Sequence, residues 1–227
     1  MANVLRVLST LALKGAVERL AVPYQATTSV KLDADFAPTV GLMKRLREGE
    51  TADALILTRE GLDELVASGS VAAASKIDLA RSYVGLAVKT GHARPDISTE
   101  AALRAALLAA RSVAYSKIGA SGLYFAELIQ RLGIAAEINA HATITAGFTA
   151  EQLITGKADL AVQQLSELKQ VAGVDIVGPI PLSLQTAAVF TAGRMVSSAK
   201  AAEADTLLKY LASPEVAPVL RETGLEP

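Results

Sequence analysis

The stretch that decides the fold runs from Ser112 to Gly133 and reads SVAYSKIGASGLYFAELIQRLG. Residues 112–115 have the β-type character of a short strand. From Leu123 onwards the apolar residues recur at helical spacing, and Gly133 is a residue typical of the end of a helix. The segment between them is short and polar. The stretch therefore predicts a strand, a polar turn and a helix in direct succession.

This polar turn has the chemistry of an anion site. The first turn of a helix leaves several peptide N–H groups without partners, and the helix dipole adds partial positive charge there. Ser116 and Ser121 add hydroxyl donors, Lys117 adds a full positive charge, and Gly119 and Gly122 make the turn glycine-rich. The same pattern also fits an ordinary strand-to-helix turn in which a serine only caps the helix.

The composition is that of a folded protein with one large domain or two small ones. The chain has 227 residues, of which 51% are hydrophobic, and its mean hydropathy is +0.36. No apolar run reaches the roughly 18 residues that span a bilayer. The net charge of −1 argues against a nucleic-acid surface. Because cysteine is absent and only His92 and His141 occur, we expect neither a metal nor a cofactor.

No signal peptide precedes the first strand-like run, which begins at Val4. Such a start fits a cytosolic protein, and it fits equally the mature part of an exported protein to which a methionine was added. The lack of cysteine is compatible with both. We therefore expect a periplasmic location if a signal peptide has been removed, and a cytoplasmic location otherwise.

Three strand–helix units occupy the first 70 residues and predict a parallel sheet with right-handed crossovers. The third strand is almost continuously apolar, as expected of a buried parallel strand. Parallel sheets bind ligands at the carboxyl ends of their strands, where Ser9, Thr10 and Thr39 precede predicted helices. The predicted strands are residues 4–8, 29–35 and 52–57, and the predicted helices are residues 11–21, 42–48 and 59–67.

Residues from about 90 to 180 predict a second α/β unit. Ser98 is the predicted N-cap of its first helix. Thr145 and Gly147 belong to a polar turn before a short helix, and Gln163 and Gln164 end a later strand. The predicted strands around and within this unit are residues 80–89, 137–143, 157–164, 173–181 and 186–195. The predicted helices are residues 99–110, 150–155 and, in the C-terminal tail, 201–211.

The order of these elements resembles the type II periplasmic-binding-protein fold, in particular its molybdate-binding-protein-like group, over nearly the whole chain. The resemblance implies an α/β protein with two lobes, each a mostly parallel sheet flanked by helices, joined by two crossover strands and holding the ligand between them. The segments that carry the resemblance most specifically are residues 49–56, 115–125, 156–167, 173–181 and 211–215.

Mapped onto this chain, the resemblance assigns residues 1–82 and 190–227 to lobe 1 and residues 83–189 to lobe 2. The crossover strands would be Arg81–Lys89 and Thr186–Met195. The ligand-binding residues that it implies lie in the turns that follow the strands. They are Ser9, Thr10, Thr39, Ser116, Lys117, Gly119, Ser121, Gly122, Thr145, Gly147, Gln163 and Gln164.

The chain departs from molybdate binders at several of these positions. Ala12 stands where they carry a serine, and Gln164 stands where they carry a tyrosine. Sites for tetrahedral oxyanions in this group use neutral donors, whereas Lys117 adds a charge. A lysine with two glutamines suits a carboxylate that carries further oxygen groups. We therefore expect an organic carboxylate in preference to a molybdate-type oxyanion.

Three functions remain open from the sequence. The first is a monomeric solute-binding protein that captures a small anion for an ABC importer. The second is an isomerase, because the segments 121–125 and 178–181 also resemble aconitate isomerase, an enzyme of the same fold. Such an enzyme moves a proton next to a carboxylate, and Lys117 is the predicted base. Glu167 is expected to serve a helix dipole instead. The third is a cytosolic ligand sensor.

Overall fold

A computed structural model describes residues 3–227 of the chain. The chain divides into two compact units, here called unit 1 (Met1–Arg81 and Ala188–Pro227) and unit 2 (Ser82–Ala187). Each unit contains one five-stranded sheet flanked by helices. This mixed architecture confirms the predicted α/β fold class.

The strands and helices follow one another in mixed order. The strands are β1 (Asn3–Ser9), β2 (Val30–Phe36), β3 (Ala54–Thr58), β4 (Ile77–Ser82), β5 (Val84–Lys89), β6 (Val113–Tyr115), β7 (Thr143–Ile144), β8 (Leu160–Gln164), β9 (Val174–Pro179) and β10 (Ala188–Arg194). The helices are α1 (Lys14–Thr28), α2 (Thr39–Arg47), α3 (Arg59–Ala67), α4 (Glu100–Ala109), α5 (Ala120–Arg131), α6 (Ala135–Ala140), α7 (Glu151–Ile154), α8 (Leu165–Leu168), α9 (Ala201–Leu211) and α10 (Ala217–Glu222). Short 3-10 helices occupy Leu11–Leu13, Ala73–Ser75 and Pro214–Val216.

The sheet of unit 1 has the strand order β2-β1-β3-β10-β4. β1 runs parallel to β2 and to β3, and β10 runs antiparallel to β3. Successive residues of a strand point to opposite faces, and in β3 both faces are covered. Ala54 and Ile56 pack in one apolar cluster, and Leu55 and Leu57 pack in another. This burial on both faces explains why the β3 sequence is continuously apolar.

The sheet of unit 2 has the strand order β7-β6-β8-β5-β9. β6 runs parallel to β7 and β8, whereas β5 runs antiparallel to β8 and β9. Larger side chains such as Leu86 and Val162 fill the cluster on one face. The cluster on the other face contains Ala87 and Ala161, small residues against which helical residues such as Leu168 pack. The carboxyl ends of β6, β7 and β8 therefore meet at one edge of this sheet.

The largest correction concerns residues 137–143, which were predicted to form a strand. The chain forms helix α6 there, and β7 is reduced to two residues. Ile134 and Ile138 lie four residues apart and are both buried in the main cluster of unit 2, which is a helical spacing. His141 is exposed at the end of this helix and is not part of a strand.

Several helix boundaries also differ from prediction. α1 continues through Pro23 to Thr28, and the buried Tyr24 anchors the part beyond the proline. The helix α4 is capped by Thr99, whose hydroxyl accepts a bond from the Ala102 N–H, and not by Ser98. The elements that begin earlier than predicted are α2, at Thr39, and α5, at Ala120.

The long strand predicted for residues 80–89 is interrupted at Tyr83. Its two parts, β4 and β5, belong to different sheets. Tyr83 itself uses its carbonyl to accept a bond from the Leu165 N–H in unit 2. Within residues 3–227, no helix combines the length and the apolar character that crossing a lipid bilayer requires.

Candidate functional site

Buried polar side chains concentrate at the carboxyl ends of the strands. The structure describes thirteen buried polar or charged residues, and ten of them end a strand or lie in the turn or helix start that follows one. Burial of a polar group is unfavourable unless it is hydrogen-bonded, so such a concentration requires a reason. The ten residues are Ser9, Thr10, Ser82, Ser116, Ser121, Thr149, Gln163, Gln164, Ser166 and Glu167.

In unit 1 the donors surround the end of β1. The Ser9 hydroxyl donates to the Thr10 carbonyl at 3.1 Å, and the Thr10 N–H donates to the Ile56 carbonyl at 2.8 Å. The Ala37 N–H, which follows β2, donates to the Ser9 carbonyl at 3.2 Å. These bonds hold the ends of β1, β2 and β3 together. Within the described part of the chain the Thr10 hydroxyl has no partner, which leaves it free to donate.

Thr39 connects the start of α2 to the end of β3. Its hydroxyl oxygen accepts a bond from the Thr58 N–H at 3.2 Å. A methyl group added at Gly61 would lie 2.8 Å from the Thr39 side-chain methyl, so α3 approaches this residue closely. Thr39 is therefore a packing residue, but its hydroxyl hydrogen and its place in the first turn of α2 still allow it to donate.

In unit 2 the start of α5 presents unbonded peptide groups. The Ser116 hydroxyl accepts bonds from the N–H groups of Ile118 and Gly119, both at 3.2 Å, so this serine caps the turn and not the helix. Gly119 is the N-cap of α5. The N–H groups of Ala120 and Ser121 find no acceptor among residues 3–227. They are the free donors that the sequence predicted at this turn.

The other predicted residues of this turn have distinct roles. Gly122 donates its N–H to the Gly119 carbonyl and lies so close to Ser116 that an added Cβ would be 1.7 Å from the Ser116 carbonyl oxygen. It therefore serves close packing, and its N–H is used within the turn. Ser121 is 3% exposed, and its hydroxyl has no partner in the described structure. Lys117 is exposed and forms no ion pair among the described residues.

Gln163 holds the turn that follows β7. Its side-chain oxygen accepts bonds from the Thr149 N–H at 2.8 Å and from the Thr149 hydroxyl at 3.0 Å. Its side-chain nitrogen donates to the Gly147 carbonyl at 3.2 Å. The Thr145 N–H donates to the Tyr115 carbonyl at 3.2 Å and joins this turn to β6. Gln163 was predicted to contact the ligand directly, and in the structure its amide bonds to Thr149 and to the Gly147 carbonyl.

Gln164 serves a different segment. Adjacent residues of a strand point to opposite faces, so the two glutamines cannot act as a pair. With the amide assigned so that its nitrogen faces the carbonyls, Gln164 donates to the Ser82 carbonyl at 3.2 Å and to the Tyr83 carbonyl at 3.3 Å. The two amides therefore bond to different segments of the chain, and their contact with a ligand stays a prediction. Each glutamine fixes a neighbouring turn.

Glu167 is a buried carboxyl group among these polar residues. It lies in α8, directly after β8, and is only 8% exposed. Burial raises the pKa of its carboxyl group from 4.5 to about 7, although hydrogen bonds from the Gln164 N–H and the Gln163 side chain oppose the shift. Helix α8 has only four residues, so a dipole role is minor. The neighbouring Ser166 hydroxyl is buried without a partner in the described structure.

Other polar residues have structural roles or lie at the surface. Asp53 accepts bonds from the Arg6 N–H at 2.9 Å and from the Ser198 hydroxyl at 2.7 Å, which is a structural role. His92 is exposed. The Tyr124 hydroxyl donates to the Leu184 carbonyl at 3.1 Å. Within residues 3–227, no group of three or more acidic, histidine or cysteine side chains could hold a metal ion.

Comparison with known proteins agrees with this architecture. Residues 5–226 match the family described as bacterial extracellular solute-binding protein. An aconitate isomerase from a Pseudomonas species is 40% identical over 231 residues, which cover 98% of this chain and 87% of that protein.

Two solved structures of the same fold are proteins that bind inorganic anions, according to their titles. The periplasmic molybdate-binding protein of Azotobacter vinelandii superposes with a TM-score of 0.83 at 18% identity, covering 98% of this chain and 99% of that one. The sulfate-binding protein of Mycobacterium tuberculosis superposes with a TM-score of 0.77 at 14% identity, covering 99% and 87%. At these identities the likeness shows the fold alone. It confirms the predicted type II periplasmic-binding-protein fold.

Proposed function

The chain belongs to the family of bacterial extracellular solute-binding proteins, and we propose that its ligand is a small organic carboxylate. The observation that carries the proposal is the concentration of buried polar groups and unbonded N–H groups at the strand ends. Carboxylate oxygens only accept hydrogen bonds, so a site for them must present donors. In unit 2 the N–H groups of Ala120 and Ser121, the Ser121 hydroxyl and the Lys117 ammonium supply such donors. In unit 1 the Thr10 hydroxyl is a donor of the same kind.

Two observations favour a carboxylate over a molybdate-type oxyanion. Lys117 is exposed beside the unbonded N–H groups of α5 and adds a full positive charge to the site. The aconitate isomerase that is 40% identical acts, by its name, on a tricarboxylate. The two glutamines no longer support this choice, because their amides are used by the backbone.

The proposal includes a transport role. A member of this family would capture its ligand outside the cytoplasmic membrane and deliver it, as a monomer, to the permease of an ABC importer. Such a binder needs no general base. Hydrogen-bond donors that surround the anion and exclude water are sufficient for tight binding.

A second candidate function is the isomerisation of aconitate, which the 40% identity to an aconitate isomerase favours. A base would remove a proton from the methylene carbon, the double bond would move, and a proton would return to the former alkene carbon. Lys117 is the predicted base. The two functions share one ligand class and differ only in whether a proton is moved.

A thermal-shift screen tests the ligand class. The panel contains cis- and trans-aconitate, citrate, succinate, molybdate and sulfate. We expect a carboxylate to raise the melting temperature, because a ligand at 100 times its Kd stabilises the folded state by about 2.7 kcal/mol. A response to molybdate and to none of the carboxylates contradicts the proposal. Lys117→Ala should weaken the response, and Lys157→Ala, at another exposed lysine of unit 2, is the matched control.

NMR of aconitate incubated with the protein tests the second candidate. A change of the cis/trans ratio that Lys117→Ala abolishes, while aconitate still binds, would establish the isomerase. Binding of aconitate without any turnover by the unmodified protein would eliminate it and leave the transport role.

A further inference from the structure

A cavity with a basic lining lies in unit 1, between the start of β4, the end of β10 and helix α9. Its volume is about 340 Å³, which is at the lower end of the range of roughly 300–1,000 Å³ for small-molecule sites. Its polar and apolar sides are formed by different residues. Those that matter here are Lys76, Ile77, Arg194, Asp205, Leu208 and Lys209.

The cavity and the candidate donors of unit 1 lie at opposite edges of the same sheet. β10 runs antiparallel to β3, so Arg194 pairs with Ala54 at the amino end of β3, while Phe190 pairs with Thr58 at its carboxyl end. Four residues along a strand amount to about 13 Å. The cavity is therefore separate from the hydrogen-bond donors around the end of β1.

Arg194 is the most enclosed cation of the cavity. Its side chain is 20% exposed, and its Nε donates to the Asp205 carboxylate at 2.9 Å. Its main-chain N–H donates to the Ser75 hydroxyl at 2.9 Å, and its carbonyl accepts from the Ala72 N–H at 3.0 Å. Among residues 3–227 the two terminal nitrogens of the guanidinium group have no acceptor. The group is therefore held in place with most of its donors unused.

The charge around the cavity is more positive than negative. Lys76 pairs with Asp63, which leaves two of its three ammonium hydrogens for other acceptors. Lys209 is exposed and forms no ion pair with any residue that the structure describes. Both carboxylates, those of Asp63 and Asp205, are already bound to a cation. Three cations and two paired carboxylates favour an anionic ligand.

The other side of the cavity is apolar. Leu208 belongs to the main apolar cluster of unit 1, and Ile77 packs against that cluster. Asp205 and Lys209 lie four residues apart, one helical turn, on the same face of α9. Charged and apolar groups thus line one space, and a ligand that fills it carries an organic part beside its anionic group.

We propose that this cavity is a second ligand site, which binds the phosphate group of a small organic phosphate monoester. A phosphate presents three acceptor oxygens to the three basic side chains, whereas a carboxylate presents two. The terminal nitrogens of a guanidinium group bind two phosphate oxygens at once. Ile77 and Leu208 pack against the organic part. The inference goes beyond the proposed function and does not depend on it.

An NMR titration of the ¹⁵N-labelled protein with glycerol 3-phosphate tests the site, because this probe has a phosphate group and no carboxylate. We expect saturable shifts of the amide signals of Lys76, Ile77 and Lys209. Lactate is the carboxylate for comparison. It should bind at these residues at least about tenfold more weakly, since it offers fewer charge-assisted hydrogen bonds.

Two variants and one control locate the binding. Arg194→Lys keeps the charge and loses the planar pair of donors, so the affinity for glycerol 3-phosphate should fall about tenfold or more. Lys209→Gln removes an exposed charge and should weaken binding about 2- to 5-fold. Lys31→Gln removes an exposed lysine from β2, the strand at the other side of the unit 1 sheet, and should leave the affinity unchanged.

Several results would overturn the inference. Shifts confined to Ala120 and Ser121 would place the phosphate in unit 2, and equal affinity for lactate at the cavity would remove the preference for phosphate. The absence of saturable shifts up to about 10 mM would exclude a site. If Arg194→Lys does not fold, Lys209→Gln decides, and an affinity equal to that of Lys31→Gln is the contrary result.

Discussion

Replacing Gly122 by alanine should force the start of α5 away from Ser116. The added Cβ would lie 1.7 Å from the Ser116 carbonyl oxygen and 2.5 Å from the carbonyl carbon, whereas an ordinary contact begins at 3.4 Å. The two segments must therefore separate by about 1.5 to 2 Å at this point. Overpacking of this kind costs about 1–3 kcal/mol, and the better helix propensity of alanine returns up to about 1 kcal/mol.

We expect Gly122→Ala to lower the free energy of unfolding by about 1–2 kcal/mol in urea titrations. The same displacement moves the N–H groups of Ala120 and Ser121, and charge-assisted bonds to a carboxylate lengthen with it. Losing one such bond weakens carboxylate affinity by about 10- to 100-fold. Gly119→Ala is the matched control for stability, because its nearest contact is 3.6 Å and its φ of −88° suits alanine. A Gly122→Ala protein with unchanged stability and affinity would refute the reasoning.

Three further predictions follow from the same contacts. Gln163→Leu leaves the buried Thr149 N–H and the Gly147 carbonyl without partners, so we expect the free energy of unfolding in urea to fall by about 2–4 kcal/mol. A decrease below about 1 kcal/mol would show that the amide does not hold this turn. Burial raises the pKa of Glu167 from 4.5 to about 7, so its neutral form contributes stability that is complete below pH 4.5 and is lost as the pH rises through 7. We expect the free energy of unfolding to fall by about 3 kcal/mol in total when it is measured from pH 4 to 9. Glu167→Gln should remove this pH dependence. Thr99→Ala removes the cap of α4 and should lower the free energy of unfolding by about 1 kcal/mol in thermal unfolding. Ser98→Ala should leave it almost unchanged. A larger loss for Ser98→Ala than for Thr99→Ala would show that Ser98 is the cap.

The fold could be predicted because the strong periodic patterns of the sequence agree with the packing. The bounds predicted for α3 and α9 coincide with the observed helices, and the apolar run of β3 is buried on both faces. The prediction failed where local patterns were ambiguous. Residues 137–143 contain too few apolar positions to distinguish a strand from a helix, and the burial of Ile134 and Ile138 against α5 decided in favour of the helix.

The candidate site was predictable in its location but not in its individual contacts. The sequence placed the donors at the strand ends, where the structure also has them. It could not show that Gln163 and Gln164 turn to opposite faces and bind the backbone, because that depends on which residues lie opposite them in the fold. The burial of Glu167 was equally hidden. Successive side chains of a strand point to opposite faces of the sheet, and β8 ends at Gln164. This alternation was the one signal in the sequence that could have shown that the two glutamines point in different directions.

The most direct test of the central claim is an NMR titration of the ¹⁵N-labelled protein with trans-aconitate. The claim is that unbonded donors at the strand ends bind a small carboxylate. It predicts that the amide signals of Ala120 and Ser121 move most and saturate together, because their N–H groups gain an acceptor. Saturable shifts confined to the opposite end of the unit 2 sheet, around Ser112, or no shifts at all, would contradict it.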